Sequence, residues 1–295
     1  MEGLYRPSTV RDLLKRHGIR PRRSLGQNFL VDGNILGRIV QAAAPASEDL
    51  VIEVGPGIGT LTRELCREAG RVLAIERDHR MGPVLEETLA DCPHLDLRFA
   101  DAMDFDFSGA LAGHAGSVKF VSNLPYNIAT PLLLDLLAGV RGIGLYVVMV
   151  QKELADRFTA SPGGRDYGAS TLKMLYRCRL ERVIRVPRTV FLPPPQVDSV
   201  VLRLVPHSAA PVEVPDERFF LQLIETAFAQ RRKTLLNALA AGMEATSSRE
   251  EIGGALAAAD IDPGRRAETL SLQEFAALAR VLNMGTGGIV KEGER

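Results

Sequence analysis

The 295-residue chain is short of the residue types that metal centres and disulfide frameworks need: 3 Cys, 5 His, no Trp and 5% aromatics. Cys66, Cys92 and Cys178 form no C-x-x-C pair, so neither a zinc site nor a disulfide scaffold is expected, and a reducing compartment follows. Long apolar runs are missing too. The longest, Gly144 to Val150, falls far below the roughly 20 residues that a membrane-spanning helix needs, and the opening MEGLYRPSTVRDLLKRHG lacks the apolar core of a signal peptide. A cytoplasmic protein with no membrane partner is expected. Net charge is also absent, 36 Lys+Arg against 36 Asp+Glu, so nothing global attracts a polyanion. What is present is an ordinary globular composition, 46% hydrophobic and 24% charged, which excludes disordered and collagen-like chains. Its length suits one large domain and one small one.

The zero net charge conceals segregation. Residues 1–25 carry seven basic groups (Arg6, Arg11, Lys15, Arg16, Arg20, Arg22, Arg23) and two acidic ones, residues 46–110 fourteen acidic and six basic, and residues 150–205 ten basic and five acidic. From about residue 50, short apolar runs alternate with helical stretches. LVIEV (50–54), VLAI (72–75), LDLRF (95–99), VKFVS (118–122) and LYVVMV (145–150) read as strands buried on both faces. Helices are expected around 59–69, 80–91 and 130–138 and from about 151, while VIRV (183–186) and VVLRLV (200–205) read as antiparallel edge strands. The alternation predicts an α/β fold with a doubly wound, mostly parallel sheet. After the Pro-rich stretch PHSAAPVEVPDE the period becomes 3.6, with one helix expected from Asp216 as cap to Gly242 as stop, and capping boxes at Ser248/Glu251 and Ser271/Glu274. The expected division is a large domain over 1–208 with a basic N-terminal arm, a helical domain over 209–284, and a loose tail over 285–295.

Chemistry concentrates at the strand ends. Glu53-Val54-Gly55-Pro56-Gly57-Ile58-Gly59 closes the first strand and opens a helix, a turn that brings backbone N–H groups close to a ligand. Its spacing is GxGxG, with Thr60 where the dinucleotide fingerprint has its third glycine. Glu76 ends the second strand 21 positions after Gly55, where a carboxylate accepts from both hydroxyls of a ribose. Asp101 repeats that placement after the third strand and suits the amino group of an adenine ring, a helix cap being the plainer alternative. The fourth strand ends in Asn123-Leu124-Pro125-Tyr126. The exocyclic amine of adenine is a poor nucleophile because its lone pair is delocalised into the ring. An Asn side-chain oxygen and a backbone carbonyl that both accept from the NH₂ draw the nitrogen toward tetrahedral geometry. Pro125 stiffens that turn and Tyr126 offers a face on which an extruded base can stack.

These residues resemble those of the S-adenosylmethionine-dependent rRNA adenine dimethyltransferases, more closely the small-subunit branch than the large-subunit resistance branch. The resemblance covers residues 20–283 and rests on Gln27-Asn28-Phe29-Leu30, EVGPGIGTLT (53–62), Glu76, Asp101, Asn123 to Tyr126, FLPPPQVDS (191–199) and QRRKTL (230–235). Leu124, where the resistance enzymes usually carry Ile, and the sizeable helical domain favour the small-subunit branch. Ala267 departs from the family's frequent Pro at a site remote from the chemistry.

The resemblance implies a Rossmann-like methyltransferase that uses S-adenosylmethionine, held by Gln27, Asn28, Leu30, Gly55, Gly57, Glu76, Arg77, Asp101, Ala102 and Asn123. It implies a target pocket of Asn123, Leu124, Pro125 and Tyr126, with Phe191 as a second aromatic wall opposite Tyr126. It further implies dimethylation of two adjacent adenines in a hairpin loop near the 3′ end of small-subunit rRNA, within the ribosomal small subunit, by a monomer with a part in subunit biogenesis. The alternatives are a large-subunit rRNA adenine methyltransferase and a non-catalytic assembly factor of the same fold; Thr60 and the NLPY turn speak against a nicotinamide dehydrogenase. Arg20, Arg22, Arg23 and basic residues of 150–188 are expected to bind RNA phosphates around the pocket mouth. Arg231, Arg232 and Lys233 are as readily internal salt-bridge partners.

Overall fold

The computed structural model describes residues 3–22 and 25–285; Arg23 and the tail from residue 286, both named above, lie outside them. The chain divides into two compact units, Met1–Ala155 with Cys178–Pro206, and Asp156–Arg177 with His207–Arg295. Among the described residues no helix is long and apolar enough to cross a membrane.

The first unit is built on seven strands: β2 (Leu50–Val54), β3 (Arg71–Glu76), β4 (Leu95–Phe99), β5 (Val118–Asn123), β6 (Ile143–Gln151), β7 (Cys178–Val186) and β9 (Ser199–Pro206). A separate antiparallel pair, β1 (Phe29–Leu30) and β8 (Phe191–Leu192), lies outside that sheet. The order is β4-β3-β2-β5-β6-β9-β7, parallel from β4 to β6. The strands that read as continuous apolar runs are the interior ones, and β2 is buried at every position. From β2 the chain runs outward to β4, then returns to lay β5 against the other side of β2. At such a reversal the loops leaving adjacent strands part, and a crevice opens at their carboxyl ends.

The late strands correct one expectation. Only β7 is an edge, whereas β9 lies between β6 and β7, antiparallel to both. β7 also begins five residues before VIRV, because CRLER, with three charged residues exposed on an edge strand, reads as polar.

The helices of this unit are α1 (Pro7–Arg16), α2 (Gly33–Ala43), α3 (Thr60–Glu68), α4 (Gly82–Thr88), α5 (Phe107–Leu111), α6 (Ala129–Gly139) and α7 (Lys152–Phe158), the last running into the second unit. α2 starts at Asp32, whose carboxylate accepts from the backbone N–H of Asn34 at 2.9 Å and Ile35 at 3.0 Å. Ile35, Leu36 and Ile39 of α2 and Leu61 and Leu65 of α3 pack with Val51, Val72, Val121 and Val147 of the sheet. The basic N-terminal segment is not an arm. Pro7 opens α1, and Val10, Leu13 and Leu14, at i, i+3, i+4 spacing, bury against Met81, Val84, Leu85 and Leu89. Arg16 and His17 close that contact on Glu87 at 2.8 and 2.6 Å.

The second unit is helical: α8 (Ala169–Arg177), α9 (Glu217–Phe228), α10 (Leu235–Gly242), α11 (Arg249–Ala258) and α12 (Leu272–Gly285). The sequence expectation ran the first domain unbroken to 208, whereas Tyr167, Leu172 and Tyr176 pack with Phe220, Leu223 and Phe275 of this unit. The expected single helix from 216 to 242 is two helices. Asp216 caps α9 as anticipated, but Thr234 starts α10 afresh, and the N–H of Leu235 donates to the Arg265 carbonyl at 2.7 Å. Both capping boxes form, with Ser248 N–H to Glu251 and Ser271 N–H to Glu274 each at 2.7 Å.

Within this unit the buried Tyr167 hydroxyl donates to the Leu270 carbonyl at 2.8 Å. Tyr167→Phe should lower unfolding stability by about 1–3 kcal/mol, since it strands a buried acceptor. A denaturant melt would measure the loss, and an unmoved midpoint would mean that the carbonyl has found another donor.

Candidate functional site

Three chain segments and the N-terminal strand β1 meet at the carboxyl ends of β2, β3 and β5. They enclose a cleft of about 1070 Å³, counting the space open to solvent. Gly55, Gly57 and Gly59, in the turn between β2 and α3, have φ of +74°, +59° and +83°. A side chain at Gly55 would meet Pro125 Cγ at 3.2 Å, and one at Gly57 would meet the Phe29 ring at 3.1 Å. Two demands, a left-handed backbone and close approach, thus coincide at both positions.

Glu76 binds this turn to the end of β3. Its Oε2 accepts from the Gly57 N–H at 3.2 Å and its Oε1 from the Asp78 N–H at 2.8 Å. Burial raises its carboxyl above the ordinary range, and those backbone donors partly offset the rise. Each oxygen keeps a lone pair for a further donor. Asp101 accepts from the Met103 N–H at 3.1 Å and pairs with Arg77 at 3.3 Å. Asp101 thus caps the turn that follows β4 rather than a helix, since the next helix begins only at Phe107. Arg77 is, among the described residues, the only cation lining the cleft.

Asn123 ends β5 opposite Met149 of β6. Its Nδ2 donates to the Asn28 carbonyl at 3.4 Å, which leaves Oδ1 as the free end of the amide. The turn beyond it is anchored by the Leu124 N–H on the Met149 carbonyl at 3.1 Å, and by the Tyr126 hydroxyl with Ser199 Oγ at 2.8 Å. Tyr126 thus lies in the cleft wall with its hydroxyl held against a buried residue of β9.

Residues 25–30 form the remaining wall. The Gln27 side chain donates to Asp78 at 2.9 Å and accepts from the Arg22 N–H at 2.9 Å. Asp78 is in turn held by Arg80, whose hydrogen bonds bring its carboxyl down to about 2. Gln27, expected as a cofactor ligand, lines the cleft with both ends of its amide engaged by protein.

Gln27, Asn28, Leu30, Gly55, Gly57, Glu76, Arg77, Asp101, Ala102, Asn123, Leu124, Pro125 and Tyr126 all line this one cleft. Phe191 does not. It pairs with Leu30 in the β1–β8 ladder, is 3% exposed, and packs with Leu30, Ile35, Val186 and Val201 in the core, because its strand turns the ring inward. The expected second aromatic wall is a support beneath β1. The expected rim of cations is partly spoken for: Arg185 pairs with Asp198, and within the helical unit Lys173 and Arg177 pair with Glu225 and Glu217, while Arg231, weighed as an internal salt-bridge partner, pairs with Glu268.

One cleft residue escaped the sequence reading. Glu53 of β2 is 2% exposed and lines the cleft, and its Oε2 has no hydrogen-bond partner. Burial pushes its carboxyl up to about 8; the nearby Thr62 hydroxyl pulls down and the Glu76 charge pushes up. Thr62 Oγ1 is itself buried without a well-formed partner, so that pull is weak. The signal in the sequence was an acid inside the otherwise apolar strand LVIEV, noticed only as the lead-in to the glycines.

Comparison with known proteins agrees over nearly the whole chain. A family model described as ribosomal RNA adenine dimethylase matches residues 18–283. The ribosomal RNA small subunit methyltransferase A of Pelotomaculum thermopropionicum is 47% identical, across 92% of this chain and 95% of its own length. That of Moorella thermoacetica is 45% identical across 96% and 99%. Among solved structures, a dimethyladenosine transferase from Plasmodium falciparum superposes with a TM-score of 0.76 at 26% identity, covering 87% of this chain and 98% of that one.

The wall formed by residues 25–30 generates a prediction. Gln27→Ala removes the bond to Asp78, a charge-assisted contact worth about 1.5–3 kcal/mol. Amide hydrogen exchange over 25–30 should accelerate while β2 and β3 keep wild-type protection. Unaltered exchange would mean that the packing of Phe29 and Leu30 holds the segment alone.

Proposed function

The chain belongs to the ribosomal RNA adenine dimethylase family, and we propose that it dimethylates two adjacent adenines in a loop near the 3′ end of small-subunit rRNA. It is an S-adenosylmethionine-dependent methyltransferase. The small-subunit target is supported by the relatives named for that subunit, at 47% and 45% identity. We read the enzyme as a cytoplasmic monomer that meets its RNA within the small subunit, with the helical unit and the cations Arg20 and Arg22 contributing phosphate contacts.

The cleft residues suit the cofactor. Glu76 retains lone pairs for two ribose hydroxyls, Asp101 and Ala102 border the space for an adenine, and the glycine turn leaves room for close approach to the methionine end. Once bound, S-adenosylmethionine supplies a sulfonium methyl whose transfer leaves a neutral thioether, so no proton donor is required for the leaving group. The protein's work is therefore positioning and activation of the amine.

The observation that carries this reading is the Asn123 amide, whose Nδ2 is engaged by Asn28 while Oδ1 stands free at the cleft. Oδ1 accepts one amine hydrogen, and the adjacent Leu124 carbonyl is the second acceptor. Tyr126 gives the extruded base a stacking face, and unpaired loop bases cost little to extrude. A monomethylated adenine retains one N–H for the same acceptor, which permits a second transfer.

Incubating the chain with labelled S-adenosylmethionine and unmethylated small subunits, then mapping the label, tests the assignment. Label on another RNA would refute it. Asn123→Ala should lower methyl transfer by about 10²–10³, with cofactor affinity staying within about tenfold, roughly 1.4 kcal/mol. Turnover within a few-fold of wild type would remove Asn123 from the mechanism. Glu76→Ala should instead weaken cofactor binding by about 1.5–3 kcal/mol, and saturating cofactor should restore much of the rate. Unchanged affinity in calorimetry would show the ribose to lie elsewhere.

A further inference from the structure

Gln27 and Asn28, expected as cofactor ligands, also bridge the two sides of the cleft, one bonding the β3 side and the other the end of β5. A carboxamide has two orientations of nearly equal shape, and the one that Asn123 adopts decides whether an acceptor or a donor faces the target amine. The Asn28 carbonyl, which takes the Nδ2 hydrogen at 3.4 Å, makes that choice. The bond is long for its kind, so a small displacement of Asn28 releases the amide.

Asn28 precedes the two-residue strand β1 in a short irregular stretch, and two contacts place that stretch. Gly26, at φ +65°, packs on the turn that follows Asn123: a side chain there would meet the Tyr126 backbone nitrogen at 3.4 Å. Gln27 reaches to the β3 side and donates to Asp78 at 2.9 Å. Asp78 is 6% exposed and does not line the cleft. Its backbone N–H is the donor to Glu76 Oε1 at 2.8 Å, and its carboxylate accepts from Arg80 Nε at 2.8 Å. The Arg80 bonds bring that carboxyl down to about 2, so it is ionised and the bond from Gln27 is charge-assisted. The plainer task of Asp78, capping the short turn over residues 79–81, uses Oδ1 through the Arg80 N–H at 3.2 Å, whereas Gln27 bonds Oδ2.

We propose that Asp78 is a positioning residue for methyl transfer: through Gln27 it fixes residues 26–28, and through the Asn28 carbonyl it sets the orientation of the Asn123 amide. The inference rests on Asn123 Oδ1 being the acceptor for the target amine. Because the N–H of the same Asp78 bonds Glu76, one chain of contacts registers the carboxylate on β3 against the amide on β5. With the Gln27 link cut, residues 26–28 shift and the amide turns. A turned amide presents Nδ2 to the target amine, donor against donor, and the lone pair is no longer drawn out of the ring.

The test is single-turnover methyl transfer to unmethylated small subunits at saturating S-adenosylmethionine, where a loss of cofactor affinity drops out of the rate. Asp78→Ala and Gln27→Leu cut the same bond from its two ends. Each should lower the rate by about 10-fold to 10²-fold, as misplacement of a reacting contact does, and the double variant should be no slower than the slower single one. In the Asn123→Ala background a residue that acts through Asn123 has nothing left to act on, so adding Asp78→Ala there should change the rate by less than about twofold. A wild-type rate in either single variant overturns the proposal. So does a loss of equal size with and without Asn123, which would make Asp78 a general support of the cleft; in both cases the role of Asn123 itself stands. A wild-type rate in Asn123→Ala would instead unseat that role and the proposal with it. Should Asp78→Ala fail to fold, Gln27→Leu in the two backgrounds decides by the same criteria.

Discussion

Parallel pairing of β2 with β3 on one side and β5 on the other brings three turns, distant in sequence, to the same end of one sheet. Parallel strands all point their carboxyl ends one way, so the residues that follow Val54, Glu76 and Asn123 converge without any loop having to reach across the molecule. The reversal of strand order at β2 and β5 then keeps those turns apart enough to leave a cleft between them. The buried apolar strands thus do more than stabilise. They set the distance between the glycine turn, the Glu76 carboxylate and the Asn123 amide, and Glu76, by bonding the Gly57 N–H, locks two of the three together.

The charge of the cleft follows from the same packing. Glu53, Glu76 and Asp101 line it, among the described residues, against Arg77 as the one cation, and two of the acids sit on strands whose burial leaves them little water. Buried carboxyls that repel one another are costly in an empty cleft and favourable once a cation arrives, because the low dielectric magnifies both effects. Among the described residues no histidine or cysteine lines the cleft.

The N-terminal residues show how charge can mislead. Their basic count suggested a solvated arm, yet α1 docks through Val10, Leu13 and Leu14, and the chain continues into residues 25–30 to complete the cleft wall. Tyr126 is held by a comparable long-range device, its hydroxyl meeting Ser199 from β9, 73 residues away in the chain. In both cases a residue at the chemistry takes its position from an element that local sequence does not announce.

Local sequence was sufficient for what local physics decides. The interior strands are apolar-dominated runs because both of their faces are covered, the glycine turn is written in the residue that adopts positive φ without steric cost, and the capping boxes at Ser248 and Ser271 are satisfied within four residues. The strand-end placement of Glu76, Asp101 and Asn123 was therefore legible, and so was most of the cleft they line. Tertiary structure decided what depends on partners far along the chain. Thr234 restarts a helix that periodicity alone would have continued, because the Arg265 carbonyl waits for the Leu235 N–H. Residues 156–177 join the helical unit because Leu172 and Tyr176 find their apolar partners there. Phe191 turns into the core because β8 pairs with β1, and Glu53 matters because burial beneath the glycine turn strips its carboxyl of water and of partners. A sequence records which groups can bond or bury. Only the folded chain determines which are left without a partner, and among the described residues of this cleft those include the Oδ1 of Asn123 and the Oε2 of Glu53.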